Sequence, residues 1–227
     1  FKKLILHFHS GGLAEWLATR ATPPERWITQ LCLGRAQLAI VLTPSLHADA
    51  DGLNARKLAV VANGIDDPCP GFTGRPPRTT GAVREVLFLG LCSEEKGLFD
   101  AAAAVLAVNQ QAGQTHCRLT AAGGFPDRDT AIRFQTLCSR HPASIRHAGF
   151  VSGAAKQRLL ATSDCLCLPT RYPHEAQPLV LLEAMACDLP VIRVCVRASP
   201  DKSIMACRMA GLCLKADSMT LDAPGRA

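Results

Sequence analysis

The sequence has few charged residues and no long apolar run. Charged side chains make up 19% of its 227 residues and apolar ones 48%, which excludes a disordered, charge-rich tail and predicts a packed core. The apolar run at residues 4–8 is too short to span a membrane and carries no cleavage signal. Because the chain opens at Phe1, without a methionine and almost directly in this run, we expect a fragment that begins within a longer protein.

The eleven cysteines form no metal or redox motif. No CxxC pair occurs, and Cys117, Cys165, Cys167 and Cys195 lie in apolar runs. Because the count is odd and the sequence shows no secretory signal, we expect reduced thiols packed as small apolar side chains. Reduced thiols predict a cytoplasmic protein.

Positive charge is in excess but is not clustered. The formal net charge is +6 at pH 7, and the lysines and arginines are spread along the chain. This distribution predicts no nucleic-acid partner, whereas phosphate-bearing ligands or an anionic membrane surface are compatible with it.

Short apolar runs alternate with longer segments of helical period. Runs of this kind, joined by helical crossovers, are typical of a parallel α/β sheet. The predicted strands are residues 4–8, 38–42, 58–61, 86–89, 119–122, 165–168 and 191–194. The predicted helices are residues 95–109, 154–161 and 179–187.

A stretch dense in proline, glycine and threonine divides the chain. Residues 66–80 break both periods and are predicted to be a linker. About three strands precede the linker, whereas a Rossmann-like half needs about five or six. We therefore expect residues 1–65 to be an incomplete domain and residues 81–227 to form a nucleotide-binding half.

Two carboxylates lie eight residues apart after the predicted strand at 165–168. The segment 171–186 reads RYPHEAQPLVLLEAMA, and Pro178 suits the first helical position. Glu175 is therefore expected in the preceding loop and Glu183 on the helix. Free N–H groups at the helix start would bind a diphosphate. The rise over eight helical residues is about 12 Å, which matches the distance from the sugar to the ribose within a nucleotide sugar. The alternative is that Glu175 and Glu183 are two solvent-exposed glutamates that have this spacing by chance.

This segment resembles the E-x7-E signature of glycosyltransferase family four, with the run at 189–192 after it. The resemblance implies a GT-B-like α/β fold, with a Rossmann-like parallel-sheet donor domain at 81–227 and part of a second Rossmann-like, acceptor-side domain at 1–65. It also implies retaining transfer of a sugar from a nucleotide sugar to an acceptor glycan or a lipid-linked glycan. The other similar segments, in family order, are 63–66, 88–97, 121–124 and 149–151.

The matching positions imply roles for individual residues. Glu183 resembles the carboxylate that accepts hydrogen bonds from the ribose. Lys96 resembles the lysine that neutralises the phosphates, and a solvated lysine at a helix start is the alternative. Glu175 resembles the carboxylate beside the donor sugar, where it would orient the sugar and stabilise a developing oxocarbenium ion. The remaining donor-binding positions are Gly90, Gln177 and Leu179.

The loop at residues 7–12 resembles the family's acceptor-domain loop. His9 is the candidate catalytic residue there, by a hydrogen bond to the donor sugar or the acceptor, and a plain loop histidine is the alternative. His174 is a candidate sugar contact or a surface residue. His7 and His9 lack a third ligand at useful spacing, so no metal site is expected.

The resemblance implies no cofactor and no essential metal. Lys96 and the helix N-terminus before Leu179 would take the charge that a metal otherwise neutralises. The implied partners are a nucleotide sugar and a glycan or lipid-linked acceptor, with peripheral contact at the inner face of the membrane.

Several residues depart from the family pattern. Leu91 stands where an arginine is common, whereas Ala176 and Asp188 stand where glycine is usual, and residues 197–199 replace a glycine pair. An added side chain where the backbone approaches a ligand would obstruct binding. These departures leave open a catalytically inactive fragment that still binds the nucleotide sugar. A dinucleotide oxidoreductase is a weaker alternative, because no GxGxxG follows a predicted strand.

Overall fold

The computed structural model describes residues 3–71, 74–75, 79 and 81–194, together with the backbone of strands at 204–208 and 212–214. The chain divides into two compact units. The first comprises Phe1–Asp66 and Tyr172–Leu181, and the second comprises Asp67–Arg171 and Leu182–Ala227.

The first unit is built on a three-stranded parallel sheet in the order β1-β2-β3. A short 3₁₀ turn, Pro44–Leu46, precedes α3, and a small apolar cluster around Ala39 and Val41 of β2 forms the core. Phe8 and Ala176 pack against this cluster. The elements are β1 (Ile5–Phe8), α1 (Leu13–Thr19), α2 (Pro23–Leu33), β2 (Leu38–Val41), α3 (His47–Asp51) and β3 (Leu58–Val60).

Two carboxylates fix the helix starts in this unit. Thr22 and Glu25 form a capping box at α2, where the N–H of Thr22 donates to Glu25 at 2.7 Å. Asp49 is 5% exposed and accepts hydrogen bonds from the N–H groups of Gly12 at 3.3 Å and Ala14 at 2.7 Å. Asp49 therefore caps α1 from a distant position in the chain.

The second unit is built on a seven-stranded sheet in the order β10-β9-β8-β7-β4-β5-β6. Strands β4 to β8 run parallel, whereas β9 pairs antiparallel with both β8 and β10. The elements are β4 (Arg84–Leu89), α4 (Leu98–Ala112), β5 (Cys117–Ala122), α5 (Arg128–Arg140), β6 (Ile145–Gly149), α6 (Gly153–Thr162), β7 (Cys165–Cys167), α7 (Leu179–Ala186), β8 (Val191–Val194), β9 (Ile204–Arg208) and β10 (Leu212–Leu214). Helix α7 crosses the division between the units.

The structure confirms all seven predicted strands and all three predicted helices, with shifts of up to three residues at their ends. It adds α1, α2, α3 and α5, as well as β6 and the antiparallel pair β9 and β10. No helix in the described part of the chain is long and apolar enough to cross a membrane.

The expectation of reduced thiols is wrong for one pair. Cys69 and Cys187 form a disulfide with Cα atoms 6.1 Å apart and a separation of 118 positions in sequence. The expectation holds for Cys117, Cys165 and Cys167, and burial raises the pKa of the Cys165 thiol to about 12. Cys195 lies outside the described residues. The error arose because the odd count does not exclude a single bridge between distant segments.

Cys69 and Arg75 are held against the ends of two helices. Beside the disulfide, the guanidinium of Arg75 donates to the carbonyl oxygens of Cys187 at 3.2 Å and Asp188 at 2.9 Å, after α7. It also donates to the carbonyls of Leu160 and Ser163, at the end of α6. One side chain therefore satisfies carbonyl groups that both helices leave unpaired.

Candidate nucleotide-binding site

The carboxyl ends of neighbouring parallel strands in the second unit carry loops that are joined by backbone hydrogen bonds. The N–H of Gly90 donates to Ala122 at 3.0 Å, that of Cys92 to Gly124 at 2.8 Å, and that of Gly123 to Gly149 at 2.8 Å. Ligands of open parallel sheets bind at this edge. A Cβ placed on Gly90 or Gly124 would meet nothing within 4 Å, so their backbone faces open space.

The loop between β4 and α4 holds two predicted donor-binding residues, Gly90 and Lys96. Gly90 is exposed with φ of 143°, and Lys96 is half-buried. The N–H of Lys96 donates to the Ser93 hydroxyl oxygen at 3.2 Å, and that of Leu98 to the Ser93 carbonyl at 3.2 Å. Because Ser93 is buried, it anchors the turn that presents Lys96 at the start of α4.

This loop is tied to the loop that follows β7. The N–H of Arg171 donates to the Glu95 carbonyl at 2.8 Å, and its guanidinium forms an ion pair with Asp100 at 2.9 Å. Gly97 has φ of 81°, and a Cβ there would collide with the carbonyl oxygen of Pro169. Only glycine therefore allows these two loops to pack at this distance.

The two predicted carboxylates lie as expected relative to helix α7, one before it and one on it. Glu175 precedes α7, in a turn where its N–H donates to the Tyr172 carbonyl at 3.3 Å, and Glu183 lies on the helix. The helix begins at Leu179, one residue after Pro178, whose carbonyl accepts from Leu181 at 3.1 Å. Leu179 is 47% exposed at the first helical position.

Glu183 forms an ion pair that the sequence did not indicate. The Nζ of Lys156, on α6, lies 2.6 Å from each carboxylate oxygen of Glu183. The two side chains are 30% and 15% exposed, respectively. Helix α6 was predicted, but nothing in the sequence pairs its lysine with a residue 27 positions later.

The loop after β6 presents an aromatic side chain, Phe150, for which the sequence analysis predicted no role of its own. Phe150 is 82% exposed, and it follows Gly149, which is hydrogen-bonded to the loop after β5. The unusual exposure of a phenyl ring at this edge appears only once the fold is known.

The predicted residues Glu175, His9, Gln177 and Leu179 belong to the first unit, whereas Gly90, Lys96 and Glu183 belong to the second. In the first unit, the loop after β1 meets the segment around His174. The N–H of Gly11 donates to the His174 carbonyl at 3.2 Å, and a Cβ on Gly12 would collide with the His174 ring. His9 is exposed, with its ring centroid 4.1 Å from that of His7.

Gln177 is engaged by the chain itself. Its side-chain oxygen accepts from the N–H of Asn63 at 2.7 Å, and its carbonyl accepts from the Asn63 side chain at 3.2 Å. These two hydrogen bonds fix the approach to α7. The structure therefore gives Gln177 a structural partner in the 63–66 segment.

Two of the departures from the family pattern, Asp188 and Ala176, have local explanations. Asp188 has φ of 49° at the end of α7, where the N–H of Leu189 donates to Ala184 at 2.8 Å, so it occupies a left-handed position that glycine favours. Ala176 packs against the core of the first unit, and Leu91 is 48% exposed. Residues 197–199 lie outside the described residues.

Metal-binding side chains do not cluster in the described ranges. No group of three or more histidine, cysteine, aspartate or glutamate residues there is arranged to hold a metal ion.

The loops, Glu183 and Lys156 all fall within a region that matches a protein family. The sequence model described as "Glycosyl transferases group 1" matches residues 83–218, which is more than half of the chain. The chain belongs to this family. The match includes Gly90, Lys96, Lys156 and Glu183.

A curated relative is similar to this group 1 chain over most of its length. Glycogen synthase of Mycobacterium tuberculosis is 29% identical over 187 residues, covering 81% of this chain and 42% of the relative. The chain therefore spans less than half the length of that relative.

Two solved structures share the fold of this chain. Anabaena HepE in complex with UDP-glucose matches with a TM-score of 0.62 at 18% identity, covering 85% of this chain and 53% of HepE. Sucrose-phosphate synthase from Thermosynechococcus elongatus matches with a TM-score of 0.59 at 19% identity, covering 83% and 49% respectively. The expected α/β, GT-B-like fold class with parallel sheets is confirmed.

Proposed function

We propose that this chain is part of a retaining glycosyltransferase of family four, which transfers a sugar from a nucleotide-sugar donor to a glycan or lipid-linked acceptor. In this proposal residues 1–65 belong to the acceptor-side domain, 66–80 form the linker and 81–227 bind the donor. The observations that support it are the glycine-lined edge of the second sheet and the lysine-paired carboxylate of Glu183, both within the family match.

The open backbone at Gly90 and Gly124 suits a diphosphate, because N–H groups without a side chain beside them approach anionic oxygens closely. Lys96 supplies positive charge in the same loop. With these groups neutralising the leaving diphosphate, the proposed reaction needs no essential metal and no cofactor.

Glu183 and Phe150 suit the nucleoside. A carboxylate accepts hydrogen bonds from ribose hydroxyls, and an exposed phenyl ring offers a surface on which a base stacks. Helix α6 links them, because it starts three residues after Phe150 and carries the lysine that binds Glu183. Replacing Phe150 with alanine is expected to weaken nucleotide affinity about tenfold, since base stacking contributes roughly 1–3 kcal/mol.

Glu175 and His9 are the proposed catalytic residues. Glu175 would orient the donor sugar and stabilise positive charge at its anomeric carbon as the bond to the diphosphate breaks. His9 would hydrogen-bond the donor sugar or the acceptor. Gln177 supports them by fixing the segment that carries Glu175 through its two hydrogen bonds to Asn63.

We propose a cytoplasmic location with peripheral contact at the inner face of the membrane; because the disulfide removes the argument from reduced thiols, the proposal rests on the membrane contact alone. Helix α2 supports this contact, because Trp27, Ile28 and Leu31 are 65%, 52% and 65% exposed on it and Arg26 lies beside them. Sedimentation with vesicles containing anionic lipid tests it. Loss of binding in Trp27→Ala is expected, and equal sedimentation of variant and wild type contradicts the contact.

A second candidate is an inactive chain that binds the donor without transferring the sugar. Two observations favour it: the exposed apolar Leu91 beside Gly90, where the family often has arginine, and Asp188 in place of glycine. A missing guanidinium would remove one phosphate contact.

Thermal unfolding with a panel of UDP-, ADP- and GDP-sugars tests the proposal. At 100 times the dissociation constant, one nucleotide sugar is expected to stabilise the chain by about 2.7 kcal/mol, or roughly 5–10 °C. Glu183→Gln is expected to lose this shift, while the exposed Glu15→Gln keeps it. Equal stabilisation of Glu183→Gln contradicts the ribose assignment, and stabilisation without sugar transfer in a coupled assay supports the second candidate.

A further inference from the structure

The order of the strands in the second sheet reverses between β4 and β7. The chain adds β5 and β6 on one side of β4 and then returns to add β7 on the other side. Open parallel sheets bind their ligands outside the carboxyl ends of the strands at such a switch point. A side chain held between the loops that follow β4 and β7 is therefore a candidate ligand contact.

Arg171 lies between these two loops. It follows the end of β7 by four residues, and its N–H donates to the Glu95 carbonyl oxygen at 2.8 Å, in the loop after β4. Pro169, two positions earlier, packs closely on Gly97 of the same loop. The backbone of Arg171 is therefore fixed beside the loop that carries Lys96.

The guanidinium of Arg171 is accessible to a ligand. Its side chain is 57% exposed, and Nη2 donates to Asp100, itself 40% exposed, at 2.9 Å. Nε and Nη1 form no hydrogen bond with other described residues. An exposed ion pair contributes little to stability, and a guanidinium has five donors in a planar fork that matches phosphate oxygens. Arg171 can therefore bind a phosphate at little cost.

The loop after β4 does not by itself balance the charge of a diphosphate. Each phosphate group of a nucleotide sugar carries a negative charge, whereas Lys96 is the one basic residue among residues 90–97. Glu94 and Glu95 in the same loop are acidic, and the exposed Leu91 is uncharged. A second cation is therefore needed, and Arg171 is hydrogen-bonded to this loop through its backbone.

We propose that Arg171 binds the diphosphate of the donor at the switch point, through paired hydrogen bonds from its guanidinium to phosphate oxygens. The inference rests on the proposed function. Lys96 and Arg171 then neutralise the phosphates from the loops of two neighbouring strands. The chain would need no cation at position 91, which weakens the case for the inactive candidate.

The test is the affinity of the full chain for UDP, ADP and GDP, measured by calorimetry. The variants are compared with the nucleotide that wild type binds most tightly. Arg171→Met is expected to bind it about tenfold or more weakly, because charge-assisted hydrogen bonds are lost. Arg171→Lys is expected to recover part of the affinity, since an ammonium keeps the charge without the fork.

Asp100→Asn separates a ligand contact from a structural role. It breaks the same ion pair as Arg171→Met but keeps the guanidinium, so its affinity is expected to equal or exceed that of wild type. A loss as large as that of Arg171→Met would mean that Arg171 acts only by holding Asp100. That result would overturn the proposal.

Arg133→Met controls for the general loss of positive charge. Arg133 is also 57% exposed, and it pairs with Glu94 in the loop after β4 at 3.0 Å. This variant is expected to keep wild-type affinity, and a loss equal to that of Arg171→Met would overturn the specific role of Arg171. Because both ion pairs are exposed, all variants are expected to fold with melting temperatures close to that of wild type.

The same measurements distinguish the two proposals. If wild type binds none of the three nucleotides, the proposed function fails. If wild type binds one of them and Arg171→Met binds it equally well, the role of Arg171 is overturned while nucleotide binding stands.

Discussion

The two units bury their sheets to different depths. In the second unit, β4 and β5 are each buried over four consecutive residues, 86–89 and 119–122. In the first, β1 and β3 alternate exposed and half-buried residues, with Ile5 58% and Val60 46% exposed. A parallel sheet is stable when helices cover both faces. The comparison therefore indicates that the stability of the described chain resides mainly in the second unit.

The largest expected difference between the units is in the rate at which their cysteines react. Burial raises the pKa of Cys165 to about 12 and that of Cys92 to about 11, both from 9.0, whereas Cys32 on α2 is exposed. At pH 8 the buried thiols should carry about 100 to 1,000 times less thiolate than an ordinary thiol. Iodoacetamide should modify Cys32 quickly and leave Cys92 and Cys165 intact, as read by mass spectrometry. Comparable rates would mean that the second unit opens readily.

Core truncation should show the same asymmetry in stability. Phe88 in β4 is fully buried, so Phe88→Ala is expected to lower the free energy of unfolding by about 3–5 kcal/mol. Ile5→Ala on the exposed face of β1 is expected to change it by less than about 1 kcal/mol. Urea unfolding measures both variants, and equal losses would contradict the contrast between the sheets.

Much of this contrast could be predicted from sequence and some could not. The apolar runs at 86–89 and 119–122 predict buried strands directly. Strand β6 was missed because its sequence, IRHAG, places Arg146 and His147 in a sheet through an ion pair with Glu85 and a hydrogen bond to Gly123. Such partners come from distant strands, so periodicity does not reveal them.

Part of the candidate site could likewise be predicted from the sequence, and part could not. Glu175 before α7 and Glu183 on it followed from proline placement and motif order. Lys156 and the disulfide did not, because each depends on a contact between segments that only the fold brings together. Side-chain pairing across helices leaves no periodic signal in one sequence.

Removing the disulfide should have a smaller effect than truncating the core. Cys187→Ser is expected to lower the free energy of unfolding of the oxidised protein by about 2–4 kcal/mol, because the bridge closes a long loop. The exposed, unpaired Cys32→Ser serves as control. Thermal unfolding with and without dithiothreitol measures the effect, and a reductant-independent melting temperature would contradict the bridge.

The smallest expected change is a gain in stability at the end of α7. Asp188 adopts φ of 49°, so Asp188→Gly removes the strain of a side chain in the left-handed region. We expect stabilisation by about 0.5–1 kcal/mol in urea unfolding. A loss of stability would show that the Asp188 side chain makes a contribution larger than the strain.

The central claim, that a nucleoside diphosphate binds the glycine-lined edge of the second sheet, is tested most directly by a crystal structure of the full chain with UDP. The diphosphate is expected against Gly90 and Lys96, the base on Phe150, and a ribose hydroxyl within about 3 Å of the Glu183 carboxylate. UDP bound elsewhere, with the Glu183 carboxylate far from the ribose, would contradict this claim.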